Sequence, residues 1–392
     1  MNHAQARAIV QTILDPLPID RFFAALGRGT LNVEGGAGHP RASIFGADPG
    51  RTITEAFGTH SQTLDCHAVT PRGPAPSPRS TASPDAFRAL IGEYHDRDYT
   101  VRVPDVVPLS PELRQFARAL EFLLGQPVTA SVFWSKLEAK AKVHYDNNDI
   151  IVIQLVGRKR WYISTEPPLL HNPWDASIPA SLAPDGHRVL EMGPGDLLYV
   201  PRGTSHSVDS LTESLHVSIL FTPLTMRAAI IAALDHMSDL DRSFRETAAL
   251  LHDASHGDTA PDLPGQMQDL LARLLERCKT PDFVEAAKQR RLSRFVGDLP
   301  ALQPSGSAAA IHPSTVVEHG AEAICHLLET PSHIDFSQPG GHTLLHPGAG
   351  PALQFIADRP RFRVHDIPGL ADEVRVALVE RLVASGFLRV AG

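Results

Sequence analysis

His144-Tyr145-Asp146-Asn147-Asn148-Asp149-Ile150-Ile151-Val152-Ile153-Gln154-Leu155-Val156-Gly157 is the stretch whose reading decides the fold. From Ile150 to Leu155 it is a short run apolar at every position but Gln154, the pattern of a buried strand, and Gly157 starts a turn. Working outward, Trp161-Tyr162-Ile163, Asp196-Leu197-Leu198-Tyr199-Val200 and His216-Val217-Ser218-Ile219-Leu220-Phe221 repeat the pattern. Gly193-Pro194-Gly195-Asp196 is a tight turn feeding the strand that ends at Pro201. Short strands separated by Gly/Pro turns from about 128 to 222 predict a sandwich or barrel.

The same stretch carries chemistry. Residues i and i+2 of a strand share a face, so His144 and Asp146 can reach one metal ion. A third ligand must come from elsewhere, and His206 suits this, held by the turn Pro201-Arg202-Gly203-Thr204-Ser205. A lone His-x-Asp is a weak signal in a chain with 20 histidines. Joined to the Pro-Gly-Asp…Tyr-x-Pro-x-Gly-x-x-His run, it reads as a metal site. Two histidines and one carboxylate favour Fe(II) over zinc, with Mn and Ni still open, and leave coordination positions free for a cosubstrate and O2. Lys159 shares the parity of Trp161, opposite to Arg158 and Arg160. An inward-facing lysine needs an anionic partner, which a cosubstrate carboxylate would supply. Arg158 and Arg160 read as a surface turn.

Composition narrows the class. Of 392 residues, 43% are hydrophobic and 20% charged, as in a soluble globular protein of two or three domains. A net charge of −8 disfavours a general polyanion binder. Cys66, Cys278 and Cys325 are scattered, so neither a disulfide framework nor a zinc site is expected, and a reducing, cytoplasmic compartment is. No basic leader with an apolar run opens the chain, and no stretch suits a membrane span.

The flanks read differently. Residues 17–70 are a lead-in of mixed structure. Residues 71–84 are Pro/Ser-rich and predict an exposed loop. Ser110 caps a helix running to Leu124, with Pro111 at its first position and Leu113, Phe116, Leu120 and Leu123 as its stripe. After Pro223 the period is helical. Ala229, Ala232, Ala233 and His236 share a face, with Ile230 and Leu234 nearby. Met267, Leu270, Leu271, Leu274 and Leu275 form a second stripe. A polar break from His252 to Pro264 separates the two. Residues 300–313 read as a linker. A last helix over Asp372–Ala384 shows Val374, Ala377, Leu378 and Leu382 on one face, and precedes strand-like Phe387–Val390. No internal repeat is visible.

Taken together, His144-Tyr145-Asp146, Ile153-Gln154-Leu155-x-Gly157-Arg158-Lys159-x-Trp161, Pro194-Gly195-Asp196-x-x-Tyr199-x-Pro201-Arg202-Gly203-Thr204-x-His206 and Leu215-His216-Val217-Ser218 resemble the JmjC family of Fe(II)/2-oxoglutarate oxygenases, and within it the cupin-like ribosomal-oxygenase branch. The resemblance implies an α+β chain. A double-stranded β-helix, the JmjC/cupin jelly roll, occupies 1–222 with its core at about 85–222. A helical dimerisation domain at 223–300 and a winged-helix-like domain at 314–392 follow. It implies that His144, Asp146 and His206 bind Fe(II), that Lys159 binds the distal carboxylate of 2-oxoglutarate, and that His216 lines the cosubstrate pocket with Ser135 as a further contact. It implies hydroxylation of a protein side chain, such as a ribosomal-protein histidine or arginine, by a homodimer. Tailoring of a peptide or small natural product is the alternative. A non-enzymatic binding role is disfavoured by the intact triad and Lys159.

Two features stand apart. Residues 311–392 hold six arginines, no lysine and nine acidic residues, a net −3, so direct nucleic-acid binding is not expected. The family usually carries a Gly/Pro-rich loop before the His-x-Asp. Here Lys136-Leu137-Glu138-Ala139-Lys140-Ala141-Lys142-Val143 has three lysines and neither residue. It reads either as a solvated charged edge or as a substrate contact.

Overall fold

Asp149–Val156 is a strand buried at every residue but the last, because both faces of its sheet are covered. In the computed structural model the described residues are 1–56, 63–67, 77–170, 186–247, 263–304 and 310–391. They form two compact units, Met1–Pro223 and Leu224–Gly392.

The strands of the first unit are β1 (Leu31–Val33), β2 (Thr63–His67), β3 (Arg79–Ser80), β4 (Thr100–Val103), β5 (Val128–Ser135), β6 (Lys140–His144), β7 (Asp149–Val156), β8 (Lys159–Ser164), β9 (His187–Met192), β10 (Leu197–Val200), β11 (His206–Ser210) and β12 (Ser214–Phe221). Its helices are α1 (His3–Leu14), α2 (Ile19–Ala25), α3 (Pro49–Glu55), α4 (Pro84–Asp96) and α5 (Pro111–Leu124). One sheet runs β1-β10-β7-β12-β5-β4-β2-β3 and a smaller one runs β6-β11-β8-β9, with antiparallel pairing throughout.

The period of two decides which side chain meets which layer. Ile151 and Ile153 of β7, with Val217 and Ile219 of β12, face outward into a core shared with Val10, Phe22, Phe87 and Phe116 of the helices. Ile150 and Val152 face inward against Trp161, Ile163, Met192 and Val208 of the small sheet. Each fully buried Val or Ile contributes about 1.5–3 kcal/mol. A one-residue slip would exchange the two faces, so the register is firmly set. The strand pattern predicted a sandwich or barrel, and this is the double-stranded β-helix that the resemblance implied, with helices on one outer face.

The N-terminal lead-in does more than precede the barrel. β1 and β2 join the large sheet, and β2 borders the central cavity. Of the Pro/Ser-rich stretch, residues 71–76 lie outside the described residues; Arg79–Ser80 is strand β3, and Ser83 caps α4. The expected helix from Ser110 is α5, with the Ser110 hydroxyl accepting from Leu113 N–H at 3.1 Å.

In the second unit, α6 (Met226–Leu240), α7 (Leu263–Cys278) and α8 (Pro281–Asp298) share a small core of Ala233, Met237, Leu274, Phe283 and Ala287. The polar break lies outside the described residues over 252–262, as does the expected linker over 305–309. Beyond come β13 (Val316–His319), β14 (His326–Glu329), β15 (Ile334–Gln338), β16 (Gly341–Leu345), α9 (Gly350–Asp358), β17 (Arg361–Arg363), α10 (Asp372–Ala384) and β18 (Leu388–Val390). They make the sheets β17-β13-β18 and β14-β15-β16 around a second core. The face expected for α10 is corrected. Val374 and Ala377 are exposed, and the packed stripe is Val376, Val379, Leu382 and Val383, with Leu378 at its edge. The alternative stripe wins because Val379 and Leu382 meet the β-strand core. Among the described residues, no helix is long and apolar enough to cross a membrane.

Candidate active site

β6 ends at His144, β11 begins at His206, and the two residues are cross-strand partners. Asp146 lies just beyond β6, so the chain has left the strand before the carboxylate is placed. The ligating atoms of His144, Asp146 and His206 lie within 4.8 Å of one another. His206 Nε2 is 3.6 Å from Asp146 Oδ2, and the two imidazole rings are 4.3 Å apart. His144 Nδ1 donates to the Lys142 carbonyl at 2.8 Å and His206 Nδ1 to the Thr204 carbonyl at 2.9 Å. A carbonyl can only accept, so each Nδ1 carries the proton and each Nε2 offers a lone pair. Burial pushes the His206 pKa down, and the adjacent His144 adds to this while Asp146 opposes it. A neutral imidazole is the form that binds a metal ion. The donor set therefore fits a divalent cation.

The turn that delivers His206 is fastened at several points. Tyr199 donates its hydroxyl proton to Asp149 and accepts from Gly27 N–H at 2.8 Å, while Asp149 also accepts from Arg202 N–H at 3.1 Å. Burial raises the pKa of Asp149 and pushes that of Tyr199 far above its ordinary value. Gly203 N–H donates to the Asp146 carbonyl at 2.8 Å, tying together the two ligand-bearing segments. Gly203 has φ +77°, and a Cβ there would lie 1.8 Å from the Leu169 carbonyl oxygen, so only glycine fits. Asp196 accepts from Gly193 and Gly35 N–H groups at 2.8 and 3.0 Å, and Arg41 donates to the Gly195 carbonyl at 2.6 Å. These motif residues shape the turn, and none of these hydrogen bonds goes to a triad side chain.

Lys159 opens β8 and points between the sheets, as its parity with Trp161 requires. It is 2% exposed. Its ammonium donates to Ser135 Oγ at 3.0 Å and meets His216 Nδ1 at 2.9 Å. No carboxylate of the described residues neutralises it, and burial lowers its pKa to about 7. Burial, then Lys159 itself, holds the His216 pKa well below its ordinary value. The chemistry here fits an anionic ligand group, since a carboxylate would restore a compensated pair. Lys159, Ser135, His216 and the three triad residues all border one cavity of about 500 Å³.

Residues 108–228 match the JmjC domain family, and this span holds the triad, Lys159 and His216. The chain is 28% identical over 137 residues to ribosomal oxygenase 2 of Rattus norvegicus, covering 34% of this chain and 29% of the rat protein.

Residues 108–228 are thus a JmjC domain, and this chain resembles relatives and folds in the ribosomal-oxygenase branch of that family.

It is also 23% identical over 301 residues to the uncharacterized protein YxbC of Bacillus subtilis, covering 71% of this chain and 89% of that one. Its fold is similar to that of YcfD, a ribosomal oxygenase from Escherichia coli, in a structure with cobalt and 2-oxoglutarate. The TM-score is 0.58 at 19% identity, covering 96% of this chain and 99% of YcfD. The chain spans under a third of the rat relative's length.

Several cavity residues went unread in the sequence. Cys66 and His67 come from β2 and Arg102 from β4, and Thr100 extends the Lys159 network by its 2.9 Å hydrogen bond to Ser135. Phe133 stacks on His216 with ring centres 5.2 Å apart. Alternation along β4 and β5 was the one available signal, and it does not say which strands are neighbours. The lysine-rich segment turns from β5 to β6 without glycine, with Glu138 at φ +65°. Lys136 reaches Asp96 at 3.0 Å and Lys140 lies 3.9 Å from Asp209, whereas Lys142 borders the cavity.

Proposed function

We propose that this chain is an Fe(II)- and 2-oxoglutarate-dependent oxygenase that hydroxylates a protein side chain, a ribosomal-protein histidine or arginine being the candidates. The observation that carries the reading is one cavity with two ends. At one stand three groups that could hold a metal ion, and at the other a buried lysine with no carboxylate partner among the described residues. The YcfD complex with cobalt and 2-oxoglutarate supports the cofactor assignment, and the ribosomal-oxygenase relatives support a protein substrate.

His144, Asp146 and His206 would hold the metal from one side, leaving positions for cosubstrate and O2. When bound, the metal with 2-oxoglutarate and O2 supplies the oxidising power that converts a C–H bond to C–OH, with release of succinate and CO2. Lys159 would hold the far carboxylate of 2-oxoglutarate, helped by the Ser135 hydroxyl. His216, kept neutral, takes a hydrogen bond from Lys159 and orients it. Trp161 packs 5.7 Å from the His206 ring and 5.6 Å from that of His216, and excludes water between the two ends.

The test is complementation. Cells lacking the gene receive the natural chain, His144→Ala or Asp146→Ala, and their ribosomal proteins are weighed. A +16 Da mark should return with the natural chain alone, and succinate formation by either variant should drop by more than about 10²-fold. Full turnover by either variant would sink the triad assignment.

The proposed domain plan is 1–222, 223–300 and 314–392, with the helical part serving homodimerisation and the last part a winged-helix-like fold. Exposed Ile230 and Leu234 on α6 and Met267, Leu271 and Leu275 on α7 support the dimer, being apolar side chains left without cover. Light scattering should give twice the chain mass at micromolar concentration, and a monomer there would refute it. Three free cysteines support the cytoplasmic assignment.

A further inference from the structure

The cavity wall is unequally charged. Among the described residues it presents Arg102, Lys142 and Lys159 against one carboxylate, Asp146. A divalent ion and a 2-oxoglutarate dianion would cancel each other, so the imbalance of two positive charges survives loading. Arg102 is partly answered from behind, with Asp65 3.7 Å away and shared with His67 at 3.6 Å. Lys142 has no ion pair with another described residue.

Its orientation has a structural cause. β6 pairs with β11 at His144–His206 and again at Ala141–Val208, so two residues, Lys142 and Val143, oppose the single Ser207. This is a β-bulge, which re-aims side chains and breaks strict alternation. Lys142 keeps the parity of His144 and borders the cavity with it, and the bulge brings its neighbour Ala141 to the same wall. A regular strand would have sent Lys142 and Ala141 to opposite faces.

We propose that Lys142 selects the substrate, pairing with an aspartate or glutamate carboxylate next to the side chain that enters the cavity, and that it disfavours a guanidinium there. The inference rests on the oxygenase reading for what the cavity does, and it narrows which protein segments the cavity accepts. A like charge so placed repels, and a carboxylate gains a charge-assisted hydrogen bond.

The test uses the full chain loaded with Mn(II) and 2-oxoglutarate without oxygen, offered a pool of randomised hexapeptides. Bound peptides are read by mass spectrometry. Asp and Glu should be enriched over Lys and Arg by about threefold or more at one position, the scale of a partly exposed ion pair. Lys142→Ala should flatten that preference and Lys142→Glu should reverse it. A flat or basic-enriched profile for the natural chain, or one unchanged in both variants, would overturn the proposal. Calorimetric titration of 2-oxoglutarate in the same preparation separates the two ideas. No binding there sinks the cosubstrate assignment, whereas a flat peptide profile with 2-oxoglutarate bound sinks the role of Lys142 alone.

Discussion

Lys159 and Lys142 border the same cavity but are different chemical objects. Lys159 is enclosed, hydrogen-bonded to Ser135 and His216, and without a carboxylate partner among the described residues. Lys142 is exposed, and its backbone carbonyl orients His144 while its side chain faces the cavity. Burial makes the first a demand for one ligand group, because an uncompensated buried cation is costly. Exposure leaves the second a bias, since water screens it and sets its contribution near that of a surface pair. Fixed cosubstrate binding and adjustable substrate choice can thus occupy one cavity.

The largest expected effect breaks the comparison if it fails. Lys159→Ala should weaken 2-oxoglutarate binding by at least about a hundredfold in calorimetry, as removal of one partner of a buried charge pair does. The next concerns pH. With its pKa lowered to about 7, Lys159 is neutral in the free protein at higher pH, so binding a carboxylate must take up a proton. Affinity should be flat below pH 7 and fall by up to about tenfold per unit above it, with proton uptake visible as heats that depend on the buffer. A flat profile from pH 7 to 9 would remove the unpaired lysine from the account. For stability the sign is opposite. The unfolded lysine keeps its proton to about pH 10.4, so the cost of burying Lys159 is full below pH 7 and is relieved as pH rises. The smallest effect sharpens the contrast: Lys142→Ala should change 2-oxoglutarate affinity by less than about threefold. If it matches Lys159→Ala, the division between the two ends is wrong.

Much of the site was legible because its residues recur at short spacing. His144 and Asp146 sit two apart, and Lys159 shares the parity of Trp161. The turn expected around the third ligand was legible as well, though not what it is fastened to. Asp196, Tyr199 and Gly203 lie in the run that marks the site, yet they fasten a turn: Asp196 to Gly35 and Gly193, Tyr199 to Asp149 and Gly27, Gly203 to Asp146. Cys66, His67 and Arg102 were not legible, because β2 and β4 reach the cavity only through sheet order. The α10 stripe was misplaced because two overlapping helical faces were comparably apolar.

By itself the sequence determined the strand-rich barrel, the three candidate metal ligands and the inward lysine. The barrel and the lysine follow from a period of two, His206 from a fixed turn, and Asp146 from its closeness to His144 just past the end of β6, all properties carried by neighbours along the chain. Only the tertiary structure decided that His144 meets His206 across β6 and β11, that Lys159 has no carboxylate partner among the described residues, and that a bulge brings Ala141 beside Lys142 at the cavity wall. Those depend on which strands pair and in what register, and pairing is a property of residues far apart in the chain.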